Sequence, residues 1–194
     1  MPHNDNRPAN TSDQLPRFMI DRAGVRGVHG HLQHTWQQIR ERMAETATQA
    51  PASLELLGEA TAAAALFTGH TKIDGRLSVQ LRSESALRTL FAECTSAGTL
   101  RGIVQIRTET GSPPVSRDLR ELGGDAMLAI TIENPSTGGR DPVRYQGMVA
   151  LASDSLAGAF EDYFRQSEQL PTRLLLASDG DRVAGLMLQK LPGD

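Results

Sequence analysis

The sequence predicts an α+β fold in which antiparallel strands, in one or two sheets, pack around a largely buried central helix with flanking amphipathic helices. One observation is a period of two in hydrophobicity through the middle of the chain, in segments joined by short turns that contain glycine. Such turns join antiparallel strands, because parallel strands need a long crossover. The other observation is a helix at residues 54–67 that is apolar on nearly every side, which predicts burial on all sides.

The N-terminal segment differs in composition from the rest of the chain. Residues 1–16 contain three asparagines and three prolines and no apolar periodicity, which predicts a polar arm. Residues 17–192 are expected to form a single folded domain, because a chain of 194 residues can bury one sizeable core. The domain is expected to begin with strands at residues 18–20 and 25–32, which are punctuated by glycines.

Two helices are predicted after these strands. Thr35 and Gln38 have the spacing of a capping box, in which each side chain satisfies the free N–H group of the other residue. The first helix, at residues 35 to about 48, is amphipathic, and its apolar stripe consists of Trp36, Ile39 and Met43. Pro51 is expected to begin the second, enclosed helix, and Gly69 to end it in a left-handed cap.

The remainder of the chain alternates strands with short helices. Apolar and polar residues alternate most clearly at residues 77–81. A short helix is expected near residues 116–122, and a longer third helix between a Ser155 cap and Pro171. The further predicted strands are residues 87–94, 100–107, 126–133, 143–149, 172–177 and 183–190.

The composition argues against several classes of function. A net charge of −3, without a cluster of Lys and Arg, disfavours nucleic acid and anionic membranes as partners. No apolar run is long enough to cross a bilayer, and no N-terminal export signal is present. The single cysteine, Cys94, cannot form an internal disulfide, so we expect a cytoplasmic protein.

Three groups of residues are candidate chemical sites. His29 and His31 would share one face of a strand with His34 just beyond, so a metal site is conceivable. Solvent-facing histidines are the favoured explanation, because nothing nearby in the sequence completes a ligand set. Cys94 follows a glutamate, which would suppress the reactive thiolate and favours a structural role.

Glu55 and Glu59 are the third group, since they lie one helical turn apart in the apolar helix. They could act as a catalytic carboxylate pair, but we favour an exposed helix N-terminus, where the helix dipole favours negative charge. The sequence contains no glycine-rich loop that would hold a phosphate. An enzyme is therefore disfavoured.

Several predicted strands carry apolar residues on both faces. On three of these strands one face is already apolar, and the opposite face carries Ile103, Met127 or Met148. A second layer could cover these residues, or they could remain exposed as a binding patch. Methionine suits a binding patch, because its flexible, polarizable side chain adapts to unrelated partners. The pattern alone leaves both interpretations open.

Several segments match one known family in the same order along the chain. They are residues 163–172, 35–39, 56–66, 77–81, 100–102, 144–147 and 161–164. With these segments the chain resembles heat-shock protein 33, a family of redox-regulated bacterial holdase chaperones, over roughly residues 17–192. The resemblance implies a client-binding core without enzyme activity, which binds unfolded or partly folded proteins without ATP. It makes Ile103, Met127 and Met148 the candidate client-binding residues, and it leaves a homodimer as an open alternative.

The family also has a linker and a C-terminal domain in which four cysteines bind zinc and form the redox switch. These cysteines are not among the 194 residues, so we expect no cofactor in this chain and either a truncated core or an unswitched member. Two alternatives to a chaperone remain. One is a small metal-dependent enzyme that uses His29, His31 and His34, and the other is a structural subunit of an obligate oligomer.

Overall fold

The computed structural model describes residues 13–44, 50–71, 73–112, 114–135 and 141–192. These residues form two sheets in which all paired strands are antiparallel, together with three α-helices. The predicted α+β fold is therefore confirmed.

The two sheets have four and five strands. In spatial order, the four-stranded sheet consists of β1 (Arg17–Ile20), β2 (Val25–Leu32), β9 (Val183–Lys190) and β8 (Thr172–Ser178). The five-stranded sheet consists of β5 (Leu100–Ile106), β4 (Leu87–Thr95), β3 (Arg76–Arg82), β6 (Met127–Asn134) and β7 (Val143–Val149). The helices are α1 (His34–Ala44), α2 (Pro51–His70) and α3 (Leu156–Ser167). Two short 3-10 helices span Asp21–Ala23 and Leu119–Leu122, the second within the segment where a short helix was expected.

Helix α2 lies between the two sheets. It contacts β3, β4 and β5 of one sheet and β2, β8 and β9 of the other. Every residue from Leu56 to Gly69 is buried. The backbone of β9 approaches α2 closely, because a side chain at Gly185 would collide with Leu66. The prediction of an enclosed central helix is therefore confirmed, as is its start at Pro51.

The predicted end of α2 is wrong. The helix continues through Gly69 to His70, and the residue that ends it, Thr71, has an extended backbone. Gly69 serves a different purpose, because an added Cβ would lie 2.8 Å from the Leu15 side chain. The glycine therefore permits close packing within the helix and does not provide a left-handed turn.

The predicted capping box at Thr35 is also wrong. Helix α1 begins one residue earlier, and the Asp13 carboxylate accepts hydrogen bonds from the backbone N–H groups of His34 and Thr35, both at 2.9 Å. The acceptor thus comes from a residue far away in sequence, and the Gln38 amide lies instead 3.0 Å from the His34 ring. Residues 45–49 lie outside the described part of the chain, so the predicted extension of α1 to about residue 48 is not tested.

The end of the segment predicted as a polar arm lies against β2. Gln14 and His31 exchange two backbone hydrogen bonds, of 2.9 and 3.0 Å, and Leu15 packs against the core. Residues 1–12 lie outside the described part of the chain.

Helix α3 closes the core at one edge of α2. Its N-cap is Ser155, as predicted, and the side chain accepts a hydrogen bond of 3.3 Å from the N–H of Gly158. Phe160 and Phe164 each meet Phe67 of α2 edge to face, with ring centroids 5.0 Å apart. This aromatic cluster links the third helix to the central one.

Candidate binding surface

The five-stranded sheet has one face toward α2 and one face away from it. Leu77, Val79 and Leu81 of β3 are buried toward α2, so the residues that alternate with them lie on the outer face. Ile103, Met127 and Met148 all lie on this outer face, where they are 45%, 55% and 56% exposed. The structure thus brings together the three apolar residues that the sequence singled out.

Strand register aligns most of these side chains into a single row. Ile103 is paired with Phe91, Phe91 with Gln80, Gln80 with Ala129, and Ala129 with Met148. We call this line the apolar row; it consists of Ile103, Phe91, Ala129 and Met148, with the polar Gln80 at its centre. Since neighbouring strands lie about 4.8 Å apart, the row extends roughly 19 Å across the sheet. Met127 lies in the adjacent row, opposite Arg82.

Ion pairs border the apolar row on one side. Arg101 lies 2.8 Å from Glu93, and its guanidinium carbon is 5.4 Å from the centre of the Phe91 ring. Arg76 bridges the two carboxylates, at 3.7 Å from Glu93 and 2.5 Å from Glu133, and Arg144 lies 3.5 Å from Glu133. Phe91 and these ion pairs were missed in the sequence, because only the register shows that they adjoin the apolar residues.

The outer face of the four-stranded sheet is also partly apolar, which the sequence analysis missed. Phe18, Ile20 and Leu175 are exposed there, and Leu186 and Leu188 are half-buried beside them. The alternation of Leu186 and Leu188 with buried Met187 was the signal that could have revealed this face.

The three histidines do not form a site in the described residues. His29 and His34 are exposed, and the Nε2 atom of His34 lies 3.0 Å from the Gln38 amide. In the part of the chain that the structure describes, no group of three or more His, Cys, Asp or Glu side chains is placed to hold a metal ion. Nothing there supports the alternative of a metal-dependent enzyme built on His29, His31 and His34.

Cys94 lies on the buried face of β4. Burial is the main cause that raises the pKa of its thiol, and the nearby Glu93 carboxylate raises it further, against the opposing effect of the Thr68 hydroxyl. The neutral thiol is therefore favoured, which agrees with a structural role for this residue.

Glu55 and Glu59 share one cationic partner. The Arg117 guanidinium donates to both carboxylates, from the connection that follows β5. Glu59 is buried, contrary to the exposed helix end that we favoured, and its burial raises the pKa of its carboxyl despite the opposing effect of Arg117. Because Arg117 binds both glutamates of α2, these ion pairs hold the connection that follows β5 against the helix.

Removing Arg117 is expected to destabilise the fold in a pH-dependent way. A raised pKa in the folded state means that the folded protein binds the Glu59 proton more tightly than the unfolded chain, so stability falls as pH rises through that pKa. Arg117→Gln raises this pKa further. We expect the free energy of unfolding to fall by about 1–3 kcal/mol at pH 8 and by less at pH 5, because the protonated fraction of Glu59 increases as pH falls.

Urea unfolding at the two pH values measures this difference. The matched control is the double variant Arg117→Gln/Glu59→Gln, which has no carboxyl to titrate at position 59 and should lose most of the difference between the two pH values. An equal loss of stability at both pH values in Arg117→Gln alone would contradict the assignment.

No helix in the described residues is long and apolar enough to cross a membrane.

Comparisons with known proteins agree with the fold and the resemblance. The family model described as Hsp33 protein matches residues 13–194. The 33 kDa chaperonin of Ectopseudomonas mendocina is 42% identical over 181 residues, which are 93% of this chain and 58% of that protein. The 33 kDa chaperonin of Azotobacter vinelandii is 41% identical over 182 residues, which are 94% of this chain and 58% of that protein. The chain thus spans less than two thirds of the length of these relatives.

A solved structure has a similar fold. The crystal structure of the 33 kDa chaperonin (heat shock protein 33 homolog) of Thermotoga maritima superposes with a TM-score of 0.66 at 21% sequence identity, and the match covers 90% of this chain and 59% of that one. The sequence matches of about 40% identity and the family model over residues 13–194 together show that this chain belongs to the Hsp33 family.

Proposed function

We propose that this chain acts as an ATP-independent holdase, which binds unfolding proteins and keeps them from aggregating. The observation that carries the proposal is the apolar row across the outer face of the five-stranded sheet, whose two end residues, Ile103 and Met148, are exposed, in a chain that belongs to the Hsp33 family. An unfolding protein exposes apolar side chains that would otherwise associate with one another, and burial against a second apolar surface removes them from water.

The client-contacting residues in this proposal are Ile103, Met127 and Met148. Their exposure leaves apolar area available on one face, which is the property expected of a surface that binds other proteins. The two methionines favour this face over the outer face of the four-stranded sheet, because unbranched thioether side chains adapt to clients of unrelated sequence.

The proposed activity needs neither nucleotide nor oxidant in this chain. The sequence contains no Walker-type phosphate loop. Its single cysteine is buried with a raised thiol pKa, so peroxide has little thiolate with which to react.

Light scattering tests the proposal. The chain at a stoichiometric ratio is expected to suppress the aggregation of a thermally or chemically unfolded protein without ATP, and to the same extent in reducing and in peroxide-containing buffer. An unrelated protein of similar size and charge is the control for crowding and inert adsorption. No suppression at a stoichiometric ratio, or suppression only after peroxide, would contradict the proposal for this chain.

A cytoplasmic location is part of the same proposal, and a homodimer stays an open alternative. The free, buried Cys94 suits a reducing compartment. The competing structural-subunit function makes a different prediction, namely that the apolar row is buried in a stable assembly. Sedimentation velocity distinguishes the two, because an obligate oligomer would not dissociate on dilution and would not bind clients.

A further inference from the structure

We propose that the outer face of the five-stranded sheet selects client segments in which apolar residues are flanked by aspartate or glutamate. This inference rests on the proposed holdase function and specifies the class of segment that the surface binds. It follows from the arrangement of charge around the apolar row.

The ion pairs beside the row present their positive partners to solvent. Arg101 and Arg144 have side chains that are 63% and 66% exposed, whereas the Glu93 carboxylate between Arg76 and Arg101 is only 9% exposed. The carboxylate is thus covered by the guanidinium groups that pair with it. A client that approaches from solvent meets the arginines first.

The opposite side of the apolar row also carries a cation. Arg82 lies on the outer face opposite Met127, and its side chain is 3.1 Å from the Gln80 amide. Among the described residues no carboxylate lies within ion-pair distance of Arg82. The apolar row therefore lies between Arg82 on one side and the arginines of the ion-pair network on the other.

The charge of this face differs in sign from that of the whole chain. Among the residues that are paired between strands and face outward, four are arginines and two are glutamates, which gives this face a net charge of +2. The whole chain has a net charge of −3. The arginines that make up this excess are Arg76, Arg82, Arg101 and Arg144. A segment with an apolar centre and acidic flanks is complementary to this surface in both polarity and charge.

Three labelled peptides with the same apolar centre of leucine and valine test the preference. Their flanks consist of aspartate, asparagine or lysine, and fluorescence anisotropy measures their binding to the chain. Exposed charge pairs contribute modestly, so we expect the aspartate peptide to bind about three- to tenfold more tightly than the asparagine peptide at low salt. The lysine peptide should bind most weakly, and salt at about 0.5 M should remove most of the differences.

The double variant Arg82→Gln/Arg144→Gln should lose the preference for aspartate and keep the affinity for the asparagine peptide. Both arginines can be removed without leaving a carboxylate unpaired, because Glu133 keeps Arg76 as a partner. Arg22→Gln, at an exposed arginine beside the other sheet, is the matched control and should retain the preference.

The outcomes separate the two proposals. Equal binding of the three peptides by a chain that suppresses aggregation would overturn the charge preference and leave the holdase function intact. A chain that binds no peptide and does not suppress aggregation would overturn both. Binding of the chain to phosphatidylglycerol vesicles together with no binding of any of the three peptides would identify the face as a lipid surface and contradict the inference.

Discussion

Replacing Ala63 or Ala64 by aspartate is expected to lower the free energy of unfolding by on the order of 4 kcal/mol, enough to leave the protein insoluble or only partly folded. Both alanines are fully buried in α2 between the two sheets. An aspartate at either position would begin its side chain away from water, and a buried charge without a partner must either remain desolvated or force the sheets apart.

The same substitution at Ala52 is the matched control. Ala52 lies in the first turn of α2 and is partly exposed, so an aspartate there stays in contact with water and with the positive end of the helix dipole. We expect a change within about 0.5 kcal/mol. Urea unfolding measures the free energy of unfolding of the three variants. If Ala63→Asp and Ala64→Asp both unfold near the wild-type midpoint, the enclosed position of α2 is wrong.

Phe67→Ala is the second change with a large expected effect. Phe67 is buried in α2, and its ring meets both Phe160 and Phe164 of α3. Truncation removes the ring and leaves a cavity that the surrounding helices and sheets can fill only partly. The expected loss is about 3–5 kcal/mol.

Phe18→Ala controls for the removal of an aromatic ring as such. Phe18 is exposed on the outer face of the four-stranded sheet, so its truncation should cost no more than about 1 kcal/mol. Thermal unfolding by circular dichroism compares the two variants. Similar melting temperatures for both would mean that the aromatic cluster does not hold α3 against α2.

The sequence was sufficient to predict the elements whose pattern is local. The enclosed helix was recognisable because residues 54–67 lack a polar face, and burial of Leu56 to Gly69 confirms this prediction. The period of two placed β3 correctly, and the strand predicted at residues 143–149 coincides with β7. The Ser155 cap was identified from its position before an apolar helix.

The predictions that were wrong depend on contacts between distant residues. The Asp13 carboxylate that caps α1 lies 21 residues before His34, so no local motif could indicate it. Arg117 and the Glu59 carboxylate that it binds are 58 residues apart. Gly69 resembled a helix stop because its packing against Leu15 is invisible in the sequence.

The candidate surface was only partly predictable for the same reason. Alternation in single strands identified Ile103, Met127 and Met148, but could not show that their strands lie in one sheet. The order β5-β4-β3-β6-β7 and the strand register place them on one face and add Phe91 between them. A shift of the register by one residue would have turned the side chains of a strand to the opposite face.

The most direct test of the proposed function is a comparison of two triple variants in the aggregation assay. The first, Ile103→Thr/Met127→Gln/Met148→Gln, removes exposed apolar area from the outer face of the five-stranded sheet. The second, Ile20→Thr/Met19→Gln/Leu175→Gln, makes matched changes at exposed apolar residues of the four-stranded sheet.

Unfolding curves first establish that both variants fold, which is expected because all six positions are exposed. Light scattering of an unfolding client is then recorded at equal chain concentrations. We expect the first variant to lose most of its suppression of aggregation and the second to keep it. Full suppression by a folded first variant, or an equal loss in both variants, would contradict the assignment of client binding to the five-stranded sheet.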